Sequence, residues 1–533
     1  MAARMLIIGS GASGVHFALS LLERGVEVTM LDVGHTGRPA VAPASTLNGL
    51  KGGLDDPSGY FLGDDFGGVL LPGTPGEYYG LPPSKDYVFD TPPGFAQRGS
   101  GFAPLFSFAR GGLAEAWTGG SYPLNDGELA DFPFNYRDLS PHYDEVARRV
   151  GISGAADDLG RFFPAHAHLL PPLELDPHSR RLMAAYERER GRLNGQGVFM
   201  GRTRVATLTR EHNGRQPCDY TGRCLWGCPR QSLYTPSMTL RQCLTFETFT
   251  YVPGMQVRHL NLGPGRLVRS VTARRVGGGV DSEIACDRVA LAAGALLSTQ
   301  IFLATHARET GERARLTGLM DNRQVLVPFL NLGMLGERFA ADAYQYHMLG
   351  MGLETGDGRS YVHGQITTLK TALLHPIIQR LPFDLSTSTA IMRAMHAALG
   401  LVNLNFHDTR RSTNAVALEG DEADPMLTIE YAAPVDEPAR IAEALARVRG
   451  ALWRLNCVIP PGMVHVRPMG ASVHYAGTLP MTRQAAPFTA TPDCRSRDYD
   501  NLYLVDGATF PFLPAKNLTF TLMANAARVA AAV

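Results

Sequence analysis

The first 32 residues contain the pattern that most constrains the fold. An apolar run at 5–8 leads into a glycine-rich turn at 9–14, and an apolar segment continues to residue 24. A second apolar run, 26–31, ends at Asp32. Strand, glycine turn, helix, strand and acid in this order predict a βαβ unit that binds a dinucleotide. Its pyrophosphate would lie at the helix N-terminus and its ribose at the acid.

The end of the chain contains a second strand–loop–helix unit. A short apolar strand at 501–505 runs into Asp506 and Gly507, and an apolar helix is predicted to begin near Asn517. Polar groups at such junctions suit a ligand, so this unit is interpreted as the matching half of the N-terminal site. The glycine pattern alone does not distinguish NAD from FAD, and a glycine turn also occurs in ordinary α/β units.

Composition limits the partners. The chain has 533 residues with 50 basic and 50 acidic side chains, so nucleic acid or an anionic membrane is not expected as the main partner. The apolar run at 289–304 is interrupted by polar residues and is too short for a membrane span. The first strand begins within the first few residues, so no signal peptide and a cytoplasmic location are expected.

The middle of the chain mixes helical and strand patterns. Residues 36–100 are rich in Gly, Pro and Asp and predict a long surface excursion. A helix is predicted from Asp138 to 150, a β-meander over 250–291, and a helical patch at 391–401. Seven cysteines in so long a chain do not indicate a disulfide scaffold.

A glycine-rich loop around the only tryptophan of its region is a further candidate. Residues 110–121 place paired glycines on both sides of Trp117. Such a loop lets the backbone lie close to a flat ligand. A loop anchored by a tryptophan is an equally good interpretation of the pattern alone.

Taken in order, these segments resemble the glucose–methanol–choline (GMC) flavoprotein oxidoreductases, and most closely their sugar-oxidising members. The resemblance rests on the N-terminal fingerprint, the Gly111 loop, 292–295, 474–478 and the 506–530 block. It covers both ends of the chain, while 330–460 carries no matching motif. It implies an α/β plus α+β fold: a discontinuous Rossmann-like FAD-binding domain and a substrate domain built on an antiparallel sheet.

The resemblance also implies domain boundaries. The FAD-binding domain would comprise 1–45, 95–150, 205–325 and 465–533. The substrate-binding domain would comprise 46–94, 151–204 and 326–464.

The cofactor implied by the resemblance is FAD. The residues it places at FAD are Gly9, Gly11, Ala12, Ser13, Gly14, Asp32, Gly111, Gly112, Trp117, Thr118, Gly119, Val257, Ala293, Gly294, Asp506, Gly507, Asn517 and Thr519. Among them, Asp32 would bind the adenosine ribose, the backbone of Val257 would meet the adenine, and 517–519 would lie near the pyrimidine edge of the flavin.

Two departures from the family pattern affect the flavin. The family motif Asn-Pro-Thr or His-Pro-Thr has Leu518 in place of its proline. In pyranose oxidases a histidine before the tryptophan carries a covalent bond to the flavin, and Ala116 occupies that position. Non-covalent FAD is therefore expected.

His474 and Asn517 are the candidate catalytic pair. Alcohol oxidation removes the hydroxyl proton while hydride leaves the same carbon for flavin N5, and a neutral imidazole suits the proton step. A side-chain amide can hold the same oxygen without competing for the proton. The alternatives are a structural histidine, one of 16 in the chain, and an asparagine that caps the following helix.

A cysteine cluster suggests a metal site. Cys218, Cys224 and Cys228 lie in one short segment, and Cys228 precedes a proline as in some iron–sulfur motifs. The spacing resembles that of bacterial FAD-dependent glucose dehydrogenase subunits, where three cysteines hold a three-iron cluster that passes electrons to a cytochrome. Asp219 stands where that type has another cysteine. Thiols without metal on a turn are the alternative.

The expected function is FAD-dependent oxidation of a CH–OH group in a sugar, glycoside, polyol or other alcohol. Oxygen or a protein or quinone acceptor would take the electrons, so oxidase and dehydrogenase activity both stay open. A flavin-containing lyase is one alternative. An electron-relaying subunit with an iron–sulfur cluster is another, and co-export with a partner would then place it in the periplasm.

Overall fold

The computed structural model describes residues 4–38, 45–71, 77, 79–356, 359–421 and 424–533. Parts of the predicted ranges 1–45 and 46–94 lie outside the described residues. The helices are α1 (Ala12–Leu22), α2 (Leu47–Gly53), α3 (Pro57–Leu62), α4 (Tyr136–Val150), α5 (Pro177–Gly195), α6 (Pro236–Cys243), α7 (Ala295–Thr310), α8 (His375–Ile378), α9 (Leu385–Met395), α10 (Glu437–Arg454) and α11 (Thr519–Ala532).

The strands are β1 (Met5–Ile8), β2 (Val28–Leu31), β3 (Gln97–Ser100), β4 (Ile152–Ser153), β5 (Leu169–Leu170), β6 (Val198–Arg202), β7 (Phe249–Val252), β8 (Met255–Gly263), β9 (Leu267–Arg275), β10 (Ser282–Ala285), β11 (Arg288–Leu291), β12 (Arg315–Thr317), β13 (Gln324–Asn331), β14 (Leu349–Glu354), β15 (Tyr361–Thr368), β16 (Leu399–Asn405), β17 (Asp408–Thr409), β18 (Ala415–Gly420), β19 (Pro425–Glu430), β20 (Cys457–Val458), β21 (His465–Val466), β22 (Leu502–Leu504) and β23 (Phe512–Leu513).

A parallel sheet joins the two ends of the chain. Its strand order is β22-β11-β1-β2-β7, and every neighbouring pair is parallel. The central strand β1 is buried along its whole length, as expected for a continuous apolar strand covered on both faces. Helix α1 is also fully buried and packs against the C-terminal helix α11. The predicted Rossmann-like unit is confirmed.

An antiparallel sheet forms the second large layer. Its strand order is β20-β13-β16-β15-β14-β6, with β21 also paired to β13. One face is apolar and packs against α5 and α10 in a separate hydrophobic core. The other face is polar, because the cross-strand register places His363 opposite Asn405 and Gln365 opposite Asn403. The predicted antiparallel sheet is confirmed, and its polar face is available for a site.

The strands predicted over 250–291 are present but divide between two sheets. Strands β8, β9 and β10 form the antiparallel meander, while β7 and β11 at its ends join the parallel sheet. The helical patch predicted at 391–401 is helical only to Met395, and Leu399 begins β16. Strand β16 pairs with β13 on one side and with β15 on the other, and this pairing selects the strand there.

The described part of 36–100 is more ordered than the composition predicted. It contains α2, α3 and β3 in addition to loops. Helix α4 begins slightly before the predicted Asp138, because Asn135 and Asp138 form a capping box. It ends at Gly151, whose φ of 73° is in the left-handed region that glycine adopts at low cost.

Smaller sheets connect the two layers. Strands β12, β18, β19 and β3 form one sheet, whose β18 and β19 lie within the range predicted for the substrate domain. Their buried residues Val416 and Leu427 pack into the core of the parallel sheet. Among the described residues, no helix is both long and apolar enough to cross a membrane.

Candidate active site

A cleft opens at the carboxyl edge of the parallel sheet. Its volume is about 1320 Å³, including the open mouth. The wall is built by residues that follow β1, β2, β11 and β22, together with 105–109, 112–114, 255–257 and 473–475. Parallel strands bring their carboxyl ends to one edge, which is where open α/β sheets bind ligands. The N-terminal and C-terminal units thus form two walls of one cleft.

Most of the residues predicted to bind cofactor line this cleft. They are Gly9, Gly11, Ala12, Ser13, Asp32, Gly112, Val257, Ala293, Gly294, Asp506, Gly507 and Thr519. Val257 lies at a register shift between β8 and β9, where the ladder is locally interrupted. His474 lines the cleft as well. Residues from both ends of the sequence therefore meet around one space.

The glycine turn leaves no room for side chains on its inner side. A Cβ on Gly9 would lie 2.6 Å from the carbonyl oxygen of Ala292, and one on Gly14 would lie 2.1 Å from the Gly9 oxygen. Gly11 faces the cleft and begins α1 without any side-chain cap. The free N–H groups of the first turn of α1 therefore remain for an anion, as a pyrophosphate requires.

Asp32 is held at the cleft wall by two hydroxyl groups. Ser10 Oγ donates to its carboxylate, and Tyr251 Oη donates to Oδ2 over 3.0 Å. The Gly111 amide donates to Ser10 Oγ over 2.9 Å, which ties the Gly111 loop to the glycine turn. Burial raises the pKa of Asp32 to about 6. The sequence analysis missed Ser10 and Tyr251, and Tyr251 comes close only because β7 pairs with β2.

Asp506 joins the C-terminal unit to the start of α7. Its carboxylate accepts hydrogen bonds from the Gly294 amide over 3.0 Å and from the Ser298 hydroxyl. Its other oxygen accepts from the Ala508 amide over 3.0 Å. Burial raises the pKa of Asp506. The predicted Asp506 and Gly294 are thus direct neighbours, although they are far apart in the sequence.

His474 and Asn517 lie side by side. Asn517 Nδ2 is 3.3 Å from His474 Nε2. Gln365 Nε2 donates to Asn517 Oδ1 over 2.6 Å, and this bond turns the amide nitrogen of Asn517 toward the imidazole. The N-cap of α11 is Leu518, with no side-chain cap hydrogen bond, so Asn517 does not serve as the helix cap. Its side chain is free for the pair.

Asn322 fixes the tautomer of His474. Asn322 Nδ2 donates to the carbonyls of Phe406 and Pro514, over 2.8 Å and 2.9 Å, so its Oδ1 faces the imidazole. His474 Nδ1 lies 2.9 Å from that oxygen and must carry the proton. The lone pair is then on Nε2, beside Asn517. Burial lowers the pKa of His474 to about 4, so the imidazole is neutral at neutral pH.

A buried carboxyl supports the loop before His474. Asp321 accepts hydrogen bonds from the Gly470 amide and the Ser472 hydroxyl. Ser472 Oγ in turn accepts from the backbone amide of His474 over 3.0 Å. Burial raises the pKa of Asp321 to about 7. Like Asn322 and Gln365, this residue was not found from the sequence, because it lies in segments with no recognised motif.

Residues 117–119 of the Trp117 loop do not line the cleft, and Gly120, which follows them, lies against Asn517. Trp117 Nε1 donates to the Tyr234 carbonyl over 2.7 Å, and the Thr118 carbonyl accepts from Tyr344 Oη over 3.2 Å. The Gly119 carbonyl accepts from the Ala206 amide over 2.8 Å. These bonds hold the predicted Trp117, Thr118 and Gly119 in a fixed loop beside Asn517.

The iron–sulfur prediction for Cys218, Cys224 and Cys228 is not supported. Among the residues that the structure describes, no group of three or more His, Cys, Asp or Glu side chains is arranged to hold a metal ion. Burial raises the pKa of Cys218 to about 12 and that of Cys224 well above the usual value for a thiol. Burial therefore favours the protonated thiols as long as no metal is bound. The spacing alone was insufficient evidence.

Asp32→Ala should weaken FAD binding by about 10- to 100-fold, because a carboxylate acceptor at the cleft is lost. Titration of the apoprotein with FAD, followed by flavin fluorescence, measures this change. Asp281→Ala is the control, since Asp281 pairs with Arg274 on the surface away from the cleft wall. An unchanged Kd for Asp32→Ala would remove Asp32 from the predicted site.

Comparisons with known proteins agree with this geometry. The family described as GMC oxidoreductase matches residues 410–526. Paromamine 6'-oxidase of Streptomyces fradiae is 23% identical over 566 residues, covering 99% of this chain and 91% of that protein. A 2-methyl-1,2-propanediol dehydrogenase of Mycolicibacterium austroafricanum is 26% identical over 239 residues, covering 44% of this chain and 39% of that protein.

Solved structures share the fold over the full length. Pyridoxine 4-oxidase from Mesorbium loti has a TM-score of 0.62 at 15% identity, covering 99% of both chains. A formate oxidase variant of Aspergillus oryzae RIB40 has a TM-score of 0.63 at 12% identity, covering 99% of this chain and 98% of that one. These relatives are not confined to sugar oxidases, so the predicted sugar-oxidising subgroup is not established. Through the matching C-terminal block, and with the cleft that both chain ends form, the chain is similar to the FAD-dependent GMC oxidoreductases.

Proposed function

We propose that this protein oxidises a CH–OH group of a polar small molecule, with His474 as the base. Sugars, glycosides and polyols are the first class to test. The observation that carries the proposal is the His474–Asn517 pair, in which an unprotonated Nε2 lies 3.3 Å from an amide nitrogen. His474 lines the cleft, and Asn517 beside it is bound by Gln365 from the polar face of the antiparallel sheet.

The cleft fits FAD in its chemistry as well as its position. The uncapped first turn of α1 suits the pyrophosphate, and the Asp32 carboxylate suits a ribose hydroxyl. Residues Asp506 and Gly507 line the continuation of the cleft toward His474. When bound, FAD supplies the two-electron acceptor that alcohol oxidation needs. The chain itself supplies binding, orientation and the proton acceptor.

The side chains are arranged to remove a hydroxyl proton. A substrate oxygen within hydrogen-bond distance of both His474 Nε2 and Asn517 Nδ2 would replace the bond between these two atoms, give its proton to the imidazole and accept a hydrogen bond from the amide. The resulting imidazolium would keep its Nδ1 bond to Asn322 Oδ1, which is oriented by two backbone carbonyls. Asn322 therefore favours the proton-accepting state without itself titrating.

The polar face of the antiparallel sheet favours a polar substrate. The buried atoms His363 Nε2 and Asn403 Oδ1 have no hydrogen-bond partner among the described residues. Both side chains lie on the polar face that also carries Gln365, the partner of Asn517. A polar sheet face beside the pair suits a substrate that carries hydroxyl or amino groups better than an apolar one. The full-length relative is named for oxidation of paromamine at its 6' position, which supports this class.

We expect the FAD to be held without a covalent bond, since Ala116 precedes Trp117 and offers no reactive side chain. Acid precipitation of the holoprotein should release all flavin into the supernatant, where absorbance measures it. Flavin that stays with the protein pellet would contradict this expectation.

His474→Ala should lower the rate of anaerobic flavin reduction by about 10²- to 10⁴-fold, because the proton acceptor is lost. Stopped-flow absorbance with alcohols, sugars and polyols measures the rate, and repetition with oxygen or artificial acceptors distinguishes oxidase from dehydrogenase. The control is His465→Ala, an exposed histidine that pairs with Glu77. Retained FAD with an undiminished rate in His474→Ala would exclude His474 as the base. Failure of every alcohol to reduce the wild-type flavin would favour a lyase.

The pH dependence should follow the neutral form of His474. Burial lowers its pKa from 6.5 to about 4, so the base is already deprotonated at neutral pH. The value of kcat/KM should therefore be flat through neutral pH and fall only as the pH is lowered toward about 4, where the imidazole becomes protonated. A pH series of flavin reduction checks this, and an acid limb centred above the ordinary histidine pKa would contradict it.

A further inference from the structure

Lys516, the residue directly before Asn517, is completely buried together with Glu128. Both side chains have 0% exposure, and Lys516 Nζ is 2.5 Å from Glu128 Oε2. Nζ also donates to the carbonyls of Pro123 and Phe162, each over 2.7 Å. A lysine ammonium has three N–H donors. Each of them therefore has an acceptor, and the ammonium is fixed in place.

The acceptors form a rigid frame of their own. The Asn125 amide donates to Glu128 Oε2, and the Glu128 amide donates back to Asn125 Oδ1, both over 3.0 Å. Asn125 Nδ2 also donates to the Phe162 carbonyl over 2.9 Å. The carboxylate and one of the carbonyls that hold Lys516 are thus linked to each other through Asn125.

The elements that hold Lys516 also contact Asn517. Gly120 lies shortly before Pro123, and a Cβ built on Gly120 would be 2.8 Å from Asn517 Oδ1. On the other side, the ring of Tyr361 lies 5.7 Å from Lys516 Nζ. Tyr361 is on β15, the strand whose Gln365 binds Asn517. The 120–128 segment and β15 therefore enclose both residues.

The local backbone does not fix Asn517 by itself. A proline after it would restrict its backbone conformation, but Leu518 follows instead and imposes no such restriction. Leu518 lies in the helical region with φ −88°, and no side-chain hydrogen bond caps α11. Contacts from distant parts of the chain must supply the missing constraint.

An ion pair is a costly way to fill a core. Removing two charges from water costs several kcal/mol per ion, and an apolar pair of similar volume is often at least as stable. Stability alone therefore does not account for Lys516 and Glu128. We propose that this pair positions Asn517 for the oxidation, an inference that rests on the role of Asn517 in the proposed function.

The test replaces both charges at once. Glu128→Leu with Lys516→Met removes the pair without leaving one buried charge unpaired. We expect a folded protein that binds FAD, with the rate constant of anaerobic flavin reduction lowered about 10- to 100-fold and the substrate Kd little changed, since geometry and not binding is lost. An unchanged rate constant would overturn the proposal.

A second buried pair provides the matched control. Lys370 and Asp176 have side-chain exposures of 6% and 2%, and Thr368 shares the Asp176 carboxylate with Lys370. Asp176→Asn with Lys370→Met should leave the rate constant of flavin reduction unchanged. An equal loss of rate in this control would show a general effect of buried charge and would also overturn the proposal.

A double-mutant cycle with Asn517→Ala shows whether the pair acts through Asn517. In the Asn517→Ala background, removing the pair should cause no further loss of rate, because the group it positions is gone. Equal losses in both backgrounds would overturn the positioning role. Asn517→Ala with a wild-type rate would instead show that Asn517 has no part in the reaction. The positioning inference would then be overturned, and the proposed function would have to do without Asn517.

Glu128→Gln provides a second variant in case the double substitution prevents FAD binding. It keeps an oxygen acceptor for Lys516 and removes only the negative charge. A lowered rate constant with normal FAD content and substrate Kd supports the proposal, and a wild-type rate constant overturns it.

Discussion

The pairing of β11 with β1 on one side and β22 on the other joins two segments from opposite ends of the chain. Val289 and its neighbours match β1 residue by residue, and the same strand matches β22 on its far edge. Asp506, just after β22, then binds the Gly294 amide and Ser298. Without this pairing the glycine turn and the C-terminal block would be two incomplete half-sites.

Burial sets the electrostatic character of the site. It raises the pKa of Asp32, Asp321 and Asp506, and each of these carboxyls is surrounded by hydroxyl or amide donors. It lowers the pKa of His474 for the same reason, because the charged form loses water. The imidazole is therefore a neutral base whose partners, Asn322 and Asn517, are themselves uncharged.

The antiparallel sheet contributes through its two unlike faces. The apolar face packs against α5 and α10, while the polar face carries His363 and Gln365, of which Gln365 binds Asn517. Since side chains alternate along a strand, one sheet can supply a core and a binding surface at once. This division explains how a region with no recognisable motif still provides a partner for Asn517.

The sequence by itself determined the units whose geometry is local. The turn at Gly9 and Gly14 needs glycine for steric reasons. The apolar strands, α1 and the candidate catalytic residues His474 and Asn517 could also be predicted. Only the tertiary structure decided the partners of that pair, because Asn322 and Gln365 come from segments far away in the sequence and reach it through the fold. Spacing along the chain does not by itself place a metal site, and among the described residues no group arranged to hold a metal supports the cysteine prediction.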